Sequence, residues 1–256
     1  MKVLLTNDDG LHAPGIEAFR AAVADLCDLW MVAPHEERSG ASHGLTMNGP
    51  LRIDPLGERR FATSGTPVDC VYLAIHSLLG GMPQVVLSGI NKGANLGDDV
   101  IYSGTVAAAR EAALNGIQAL AVSLATEGQS GEELHFDTAA RVAVLVLQRI
   151  MNDPLPPGVF LNLNVPNVPL KELRGVHVCP LGRRHYDPWV EARTDPRGKT
   201  YYWVGGAPLG TGMGEGTDGW WASRGFASLT PLGLDTTRED QLEKLKSWSI
   251  SLGETQ

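Results

Sequence analysis

Two adjacent carboxylates, Asp8 and Asp9, follow the apolar run Val3-Leu4-Leu5 and precede Gly10. Side by side, such charges repel one another and resist desolvation, so something positive must hold them. A hard divalent cation with oxygen ligands meets that need. The bland alternative is a solvated Asp-Asp-Gly turn, a common loop solution. A buried strand ending in Asn-Asp-Asp is more than a turn requires. Three further stretches carry compatible chemistry. Ser39, in Glu36-Glu37-Arg38-Ser39-Gly40, offers a hydroxyl to a metal or a phosphate. Arg38 beside it offers a guanidinium fork for phosphate. Asn91, in Gly89-Ile90-Asn91-Lys92-Gly93, supplies a neutral amide oxygen suited to completing a carboxylate site. Ser103-Gly104-Thr105 opens an alanine-rich run, where a helix start turns free N–H groups and its dipole toward an anion. A plain cap explains one of those hydroxyls and leaves the other, and the glycine, over. His35 and His43 read as solvated loop residues or ligands, and His12 as a packing or hydrogen-bonding residue.

The elements that must position these residues are those of a parallel α/β sheet with helices on both faces. A chain of 256 residues permits one large domain, or one domain with an appendage. Residues 3 to 6 read as a central strand, and ligands bind beyond the carboxyl ends of such strands. Ile16, Phe19, Ala22, Val23 and Leu26 recur at helical spacing, and residues 29 to 33 form the next strand, closed by Pro34. The result is a right-handed βαβ unit. Its first turn lacks the G-x-G-x-x-G fingerprint, and two carboxylates there would repel a pyrophosphate, which argues against a simple dinucleotide domain. Residues 34 to 50 form a long polar loop at the same edge. Two short strands, residues 52 to 53 and 60 to 63, precede a helix opened by Thr66-Pro67 and Asp69 and carried to Gly80-Gly81. A strand at 85 to 88 ends in the loop of Asn91, so topology alone brings Asn91 to the crevice of Asp8 and Asp9. A helix over 104 to 114, a strand over 116 to 124, a helix over 136 to 151 and a strand over 159 to 164 complete the pattern. Asn162, Asn164 and Asn167 also lie near that strand's end, where the plain alternative is that they form turns.

Composition shifts near Arg174. Residues 176 to 180 and 200 to 204 read as paired strands of a long hairpin around Thr194-Asp195-Pro196-Arg197-Gly198, rich in Arg, Tyr and Trp. Such an arm is marginal alone and needs a partner surface, which exchange within a homodimer provides. Stacking of a nucleobase on Trp189 or Trp203 ranks below that packing role. A last strand at 227 to 230 and an amphipathic helix over 239 to 251, with Leu242, Leu245 and Trp248, end the chain. The division is a core at 1–174 and, at 175–256, an arm, final strand and helix for oligomerisation. A net charge of −8 argues against binding a nucleic acid polymer, while leaving room for a small phosphorylated substrate. Cys27, Cys70 and Cys179 are scattered without zinc-ligand spacing and point to a reducing compartment. No signal-like start and no span-length apolar run is seen, so a cytoplasmic protein without a membrane partner is expected.

The motifs Thr6-Asn7-Asp8-Asp9-Gly10, Arg38-Ser39-Gly40-Ala41, Gly65-Thr66-Pro67-Val68-Asp69-Cys70-Val71, Ser88-Gly89-Ile90-Asn91 and Ser103-Gly104-Thr105-Val106 resemble, in order, those of the SurE family of stationary-phase survival proteins. The resemblance runs over nearly the whole chain and is densest in its first half. It implies a Rossmann-like core and a metal-dependent phosphatase, a 5′-nucleotidase, acting on nucleoside 5′- and 3′-monophosphates and sometimes on short polyphosphate. It implies one divalent metal ion per subunit, Mg2+ or Mn2+, on Asp8, Asp9, Ser39 and Asn91, and phosphate contacts at Asn95, Ser103, Gly104 and Thr105. It also implies a homodimer or homotetramer built through an exchanged C-terminal arm. His35 departs from the acidic or polar residue expected after Ala33-Pro34.

The reaction this implies is hydrolysis of a phosphomonoester, with Asp8 and Asp9 as catalytic residues and Asp8 either ligand or base. Covalent aspartyl-phosphate enzymes use two aspartates one residue apart, facing the same way; an adjacent pair diverges. The alternative from another class is a nucleotide or phosphate sensor that binds metal without turnover. Two carboxylates with two neutral ligands leave coordination positions open, which favours the enzyme.

Overall fold

The computed structural model describes residues 1 to 126, 131 to 206, 208 to 209, 214 to 248 and 250. In chain order its strands and helices begin with β1 (Lys2–Thr6), α1 (Pro14–Val23), β2 (Asp28–Pro34), β3 (Ile53–Pro55), β4 (Arg60–Thr63) and α2 (Pro67–Leu73). There follow β5 (Val85–Lys92), α3 (Gly104–Leu114), β6 (Gln118–Ala125), α4 (Phe136–Asn152), β7 (Val159–Pro166) and β8 (Val176–Val178). The last are β9 (His185–Tyr186), β10 (Trp189–Thr194), β11 (Thr200–Gly205), β12 (Pro208–Leu209), α5 (Asp218–Ala222), β13 (Ala227–Gly233) and α6 (Glu239–Lys246).

Strands β4-β2-β1-β5-β6-β7 are mutually parallel neighbours in one sheet. The chain winds outward from β1 to β4, then returns beside β1 with β5 and winds outward the other way. The direction reverses between β1 and β5, so the crevice of this doubly wound sheet opens at their carboxyl ends. Antiparallel β3 closes one edge, and β13, antiparallel to β7, carries β8 at the other.

Alternation along β1 supplies both layers. Val3 and Leu5 face α1 and α4, packing with Phe19, Ala143 and Leu147, while Leu4 faces α2 and α3 with Val71, Ala108 and Ala112. The alanine run of α3 lets that helix lie close on the sheet. The α2 start matches its sequence signals: Thr66 Oγ1 accepts the Asp69 N–H at 3.1 Å, and Asp69 Oδ2 accepts the Thr66 N–H at 2.8 Å. β5 bends at its end through a cis Gly89–Ile90 peptide. Gly15 in α1 lies against this bend, where a Cβ would sit 1.9 Å from the Ile90 carbonyl oxygen.

The arm differs from its expected pairing. Residues 176 to 178 do not pair with 200 to 204; β8 instead joins β13, with Val176 opposite Ala227 and Val178 opposite Leu229. The partner of β11 is β10, in register from Trp189 opposite Gly205 to Thr194 opposite Thr200. Local closure wins because the connecting turn is short and self-bonded: Asp195 Oδ1 accepts the N–H groups of Arg197 and Lys199. β13 lies in the main sheet beside β7, so this late strand is part of the core layer. The final helix is shorter than 239 to 251: α6 ends at Lys246, with residues 249 and 251 to 256 outside the described set. Asn162 and Asn164 lie within β7, fully buried, and do not form turns. His12 is exposed and makes no hydrogen bond or ion pair with a described residue. Among the described residues no helix is long and apolar enough to cross a membrane.

Candidate active site

The turn after β1 is built to hold its carboxylates still. Asn7 Nδ2 donates to the Gly10 carbonyl at 2.8 Å, and Gly10 adopts a φ of +99°, which favours glycine. Asp8 is buried against the N-terminus of α3. Its Oδ1 accepts the Thr105 hydroxyl at 2.5 Å and its Oδ2 the Thr105 N–H at 3.2 Å. Gly104 makes the approach possible, since a Cβ there would stand 2.9 Å from the Asp8 Cβ and 3.0 Å from its Oδ2. Burial raises the Asp8 pKa, and the Thr105 hydroxyl acts against that rise. Asp9 turns the other way, its Oδ2 accepting the Lys92 N–H at the end of β5 at 3.0 Å. Burial, and then the charge of Asp8, push its pKa up to about 7.

The other candidate ligands arrive on separate loops. Asn91, at the end of β5, donates from Nδ2 to the Gly93 carbonyl at 2.8 Å, and no described residue donates to its Oδ1. Ser39 is exposed, and its hydroxyl donates to Glu37 Oε1 at 2.6 Å. Its loop is drawn to β1 by the Arg38 N–H, which donates to the Asp8 carbonyl at 2.7 Å. Farther on, the loop is pinned where Thr46 donates to Asp69 from N at 2.8 Å and from Oγ1 at 2.6 Å, and where His43 Nε2 meets Glu111 at 2.9 Å. Asp69 thus caps α2 and anchors the Ser39 loop together. Gly65 is required beside it, since a Cβ there would lie 2.6 Å from Asp69 Oδ2. Two side chains raised as ligands turn elsewhere: Arg38 Nη2 donates to the Ser64 carbonyl at 3.1 Å, and His35 pairs with Asp54 at 2.8 Å.

The start of α3 is less open than Ser103-Gly104-Thr105 suggests. Ser103 Oγ is the helix cap, accepting the Val106 N–H at 3.1 Å, and Thr105 is committed to Asp8. The carboxylate of Asp8 is therefore itself the anion at this helix start. Asn95 is nearly buried, with Nδ2 donating to Ser123 Oγ at 2.7 Å. Asp218 fixes the rest of that loop. It accepts the N–H groups of Gly97, Gly182 and Gly219, each at 2.8 Å, and is 1% exposed.

The electrostatics fit a hard divalent cation. No described Lys or Arg forms an ion pair with Asp8 or Asp9, whose acceptors meet only neutral donors. Glu37, which sequence spacing did not single out, adds to the negative potential and raises both aspartate pKa values. No group of three His, Cys, Asp or Glu side chains among the described residues is spaced to hold a metal. Any cation held here would have to draw on the two carboxylates and on neutral oxygens, a donor set that suits hard cations.

A doubly wound parallel sheet flanked by helices, with a carboxylate pair at its switch point, defines the class of α/β proteins whose ligands are met beyond the carboxyl ends of the strands. Within that class, the chain belongs to the SurE family: the family model described as Survival protein SurE matches residues 3–188. It is 48% identical over 248 residues to a protein of Pelobacter propionicus named 5′-nucleotidase SurE, covering 97% of this chain and 99% of that one. A protein of the same name from Geobacter metallireducens is 46% identical over 251 residues, covering 98% of each. The crystal structure of SurE protein from Aquifex aeolicus matches with a TM-score of 0.86 at 37% identity, over 98% of this chain and all of that one.

Proposed function

We propose that this chain is a metal-dependent 5′-nucleotidase, hydrolysing nucleoside 5′-monophosphates to nucleoside and phosphate, and extending to 3′-monophosphates and short polyphosphate. The observation that carries the reading is the Asp8–Asp9 pair at the switch point, Asp8 buried and Asp9 half-buried, with no ion pair to a described Lys or Arg. Mg2+ or Mn2+ held by Asp8, Asp9, Asn91 and Ser39 would polarise a phosphoryl oxygen and lower the pKa of a water. Asp8 is oriented for this by Thr105, which occupies both of its oxygens. Asp9 Oδ1 accepts from no described donor, which would leave it free to act as ligand or proton acceptor. For Ser39 to join, its hydroxyl turns from Glu37 toward the pair. The Gly104 backbone N–H at the helix start, together with Asn95, would supply donors that stabilise charge on the phosphoryl oxygens. The test is release of inorganic phosphate from AMP and GMP. Activity with Mg2+ or Mn2+ that disappears in excess chelator is the expected result; tight metal-dependent nucleotide binding without release would mark a sensor instead.

The same reading takes the protein to be a cytoplasmic homodimer or homotetramer. Three free cysteines support a reducing compartment. The arm supports self-association: Trp203 is 55% and Val204 82% exposed on β11, and Trp189 and Val190 stand out on β10. An aromatic ribbon of this kind is unstable in water without a partner. The base of the arm is fixed separately, by Arg184 on Asp99 at 2.5 Å and by the Tyr186 hydroxyl on Asp99 at 2.7 Å. Replacing residues 188 to 206 with a short turn therefore leaves that base intact. The variant is expected to stay folded and to run at a smaller mass in light scattering, and an unchanged mass would remove the arm from the interface.

A further inference from the structure

Register aligns four polar residues in a row across the sheet. Asn91 on β5 stands opposite Ser123 on β6, which stands opposite Asn164 on β7, which stands opposite Ser228 on β13. Register neighbours of adjacent strands share a face and lie about 4.8 Å apart. Ser123, Asn164 and Ser228 are fully buried, as is Asn162 two residues before Asn164. Asparagine is a poor strand residue, and a buried amide disfavours folding unless its groups are bonded. These two amides are directed onto the backbone of one residue, Asn95. Asn164 Oδ1 accepts the Asn95 N–H at 2.8 Å, Asn164 Nδ2 donates to the Asn95 carbonyl at 3.0 Å, and Asn162 Nδ2 donates to the same carbonyl at 2.9 Å. Ser123 accepts the Asn95 side chain. The loop leaving Asn91 is thus folded back over β6 and β7, and Asn95 is seated about two strands from Asn91.

We propose that Asn164, with Asn162 and Ser123, is a positioning residue for the phosphate group of the substrate, acting through Asn95. The proposal rests on the reading that Asn95 contacts that phosphate. None of the three side chains touches substrate; each is buried beneath the loop. The two asparagine amides replace what would otherwise be apolar core positions and hold the Asn95 backbone by its N–H and its carbonyl, while Ser123 holds its side chain.

The test measures binding of inorganic phosphate to the Mn2+-loaded whole protein by calorimetry, together with the rise in melting temperature that Mn2+ produces. Asn95→Ala is expected to weaken phosphate binding by about 100-fold, and Asn164→Leu and Ser123→Ala each by about tenfold, the low end of the scale seen when groups supporting a ligand are removed. Added to Asn95→Ala, neither should weaken binding further, and the Mn2+ response should match wild type in every variant. Ser123→Ala removes only a hydroxyl and remains informative if Asn164→Leu does not fold. Wild-type phosphate affinity in Ser123→Ala and in any folded Asn164→Leu, beside a weakened Asn95→Ala, overturns the positioning role alone. Additive losses in the double variants, or loss of the Mn2+ response, overturn it as well. Unchanged affinity in Asn95→Ala removes the phosphate contact itself, and the positioning role with it.

Discussion

Gly104→Ala is expected to cost about 100-fold in kcat/KM or more, the penalty for misplacing a catalytic group by about 1 Å, and to lower the melting temperature. At an ordinary first position of a helix the change would be mild, since alanine is the better helix former by about 1 kcal/mol. Here the new methyl would stand 2.9 Å from the Asp8 Cβ, 3.0 Å from its Oδ2 and 3.1 Å from the Pro67 Cγ. Asp8 cannot retreat, because Thr105 holds both of its oxygens and its carbonyl accepts the Arg38 N–H. Overpacking of a close-packed site costs about 1–3 kcal/mol, and each kcal/mol shifts the melting point of a chain this size by about 2–4 °C. Thermal melts and AMP turnover check both arms. Wild-type activity in this variant would mean that the tight seat of Asp8 against α3 has no part in the chemistry.

Much of this geometry was legible in the sequence, because topology does the assembling. A buried strand ending in Asp8-Asp9 and a second ending at Asn91 meet at one crevice once both are parallel neighbours, and β1 beside β5 is that arrangement. The Thr66-Pro67-x-Asp69 helix start was legible because a capping box is local. Its second task, anchoring Thr46 and through it the Ser39 loop, was not, since it joins residues 23 positions apart. The start of α3 was read as an anion cradle on correct local physics, but the anion seated there is Asp8, 97 positions away. For Asn162 and Asn164, near a strand end, composition alone does not separate a turn from a buried polar role. Their true surroundings depend on where residues 93 to 99 return, which periodicity does not encode. The arm was visible as an aromatic hairpin, while its strand pairing depended on turn closure within 189 to 205.

Asp8→Asn and Asp9→Asn are expected to lose activity by about 100-fold or more, the order at which removing one element of a preorganised electrostatic site falls. Both keep the local bonds. An amide oxygen at position 9 still accepts the Lys92 N–H. At position 8 it accepts the Thr105 N–H, while the new NH2 group faces the Thr105 hydroxyl, which can accept. The loss should therefore not come from unfolding. In chelator the opposite is expected. The folded-state pKa of Asp9 stands near 7, above its ordinary value of 3.8. The folded state then holds more protons than the unfolded one between about pH 4 and 7, so this carboxylate's contribution to stability falls as pH rises through that window. Asp9→Asn removes that penalty, and its melting temperature relative to wild type should climb from pH 4 to 7 and level off above. Metal reverses the order. A cation at 100 times its dissociation constant adds about 2.7 kcal/mol to the state that binds it, so Mn2+ should raise the wild-type melting point by several degrees and that of either variant by less. Mn2+ raising wild type and both variants equally would show that the cation is held elsewhere. A phosphorylated Asp8 trapped during turnover would show that the Asp8 carboxylate, and not water, attacks the phosphorus.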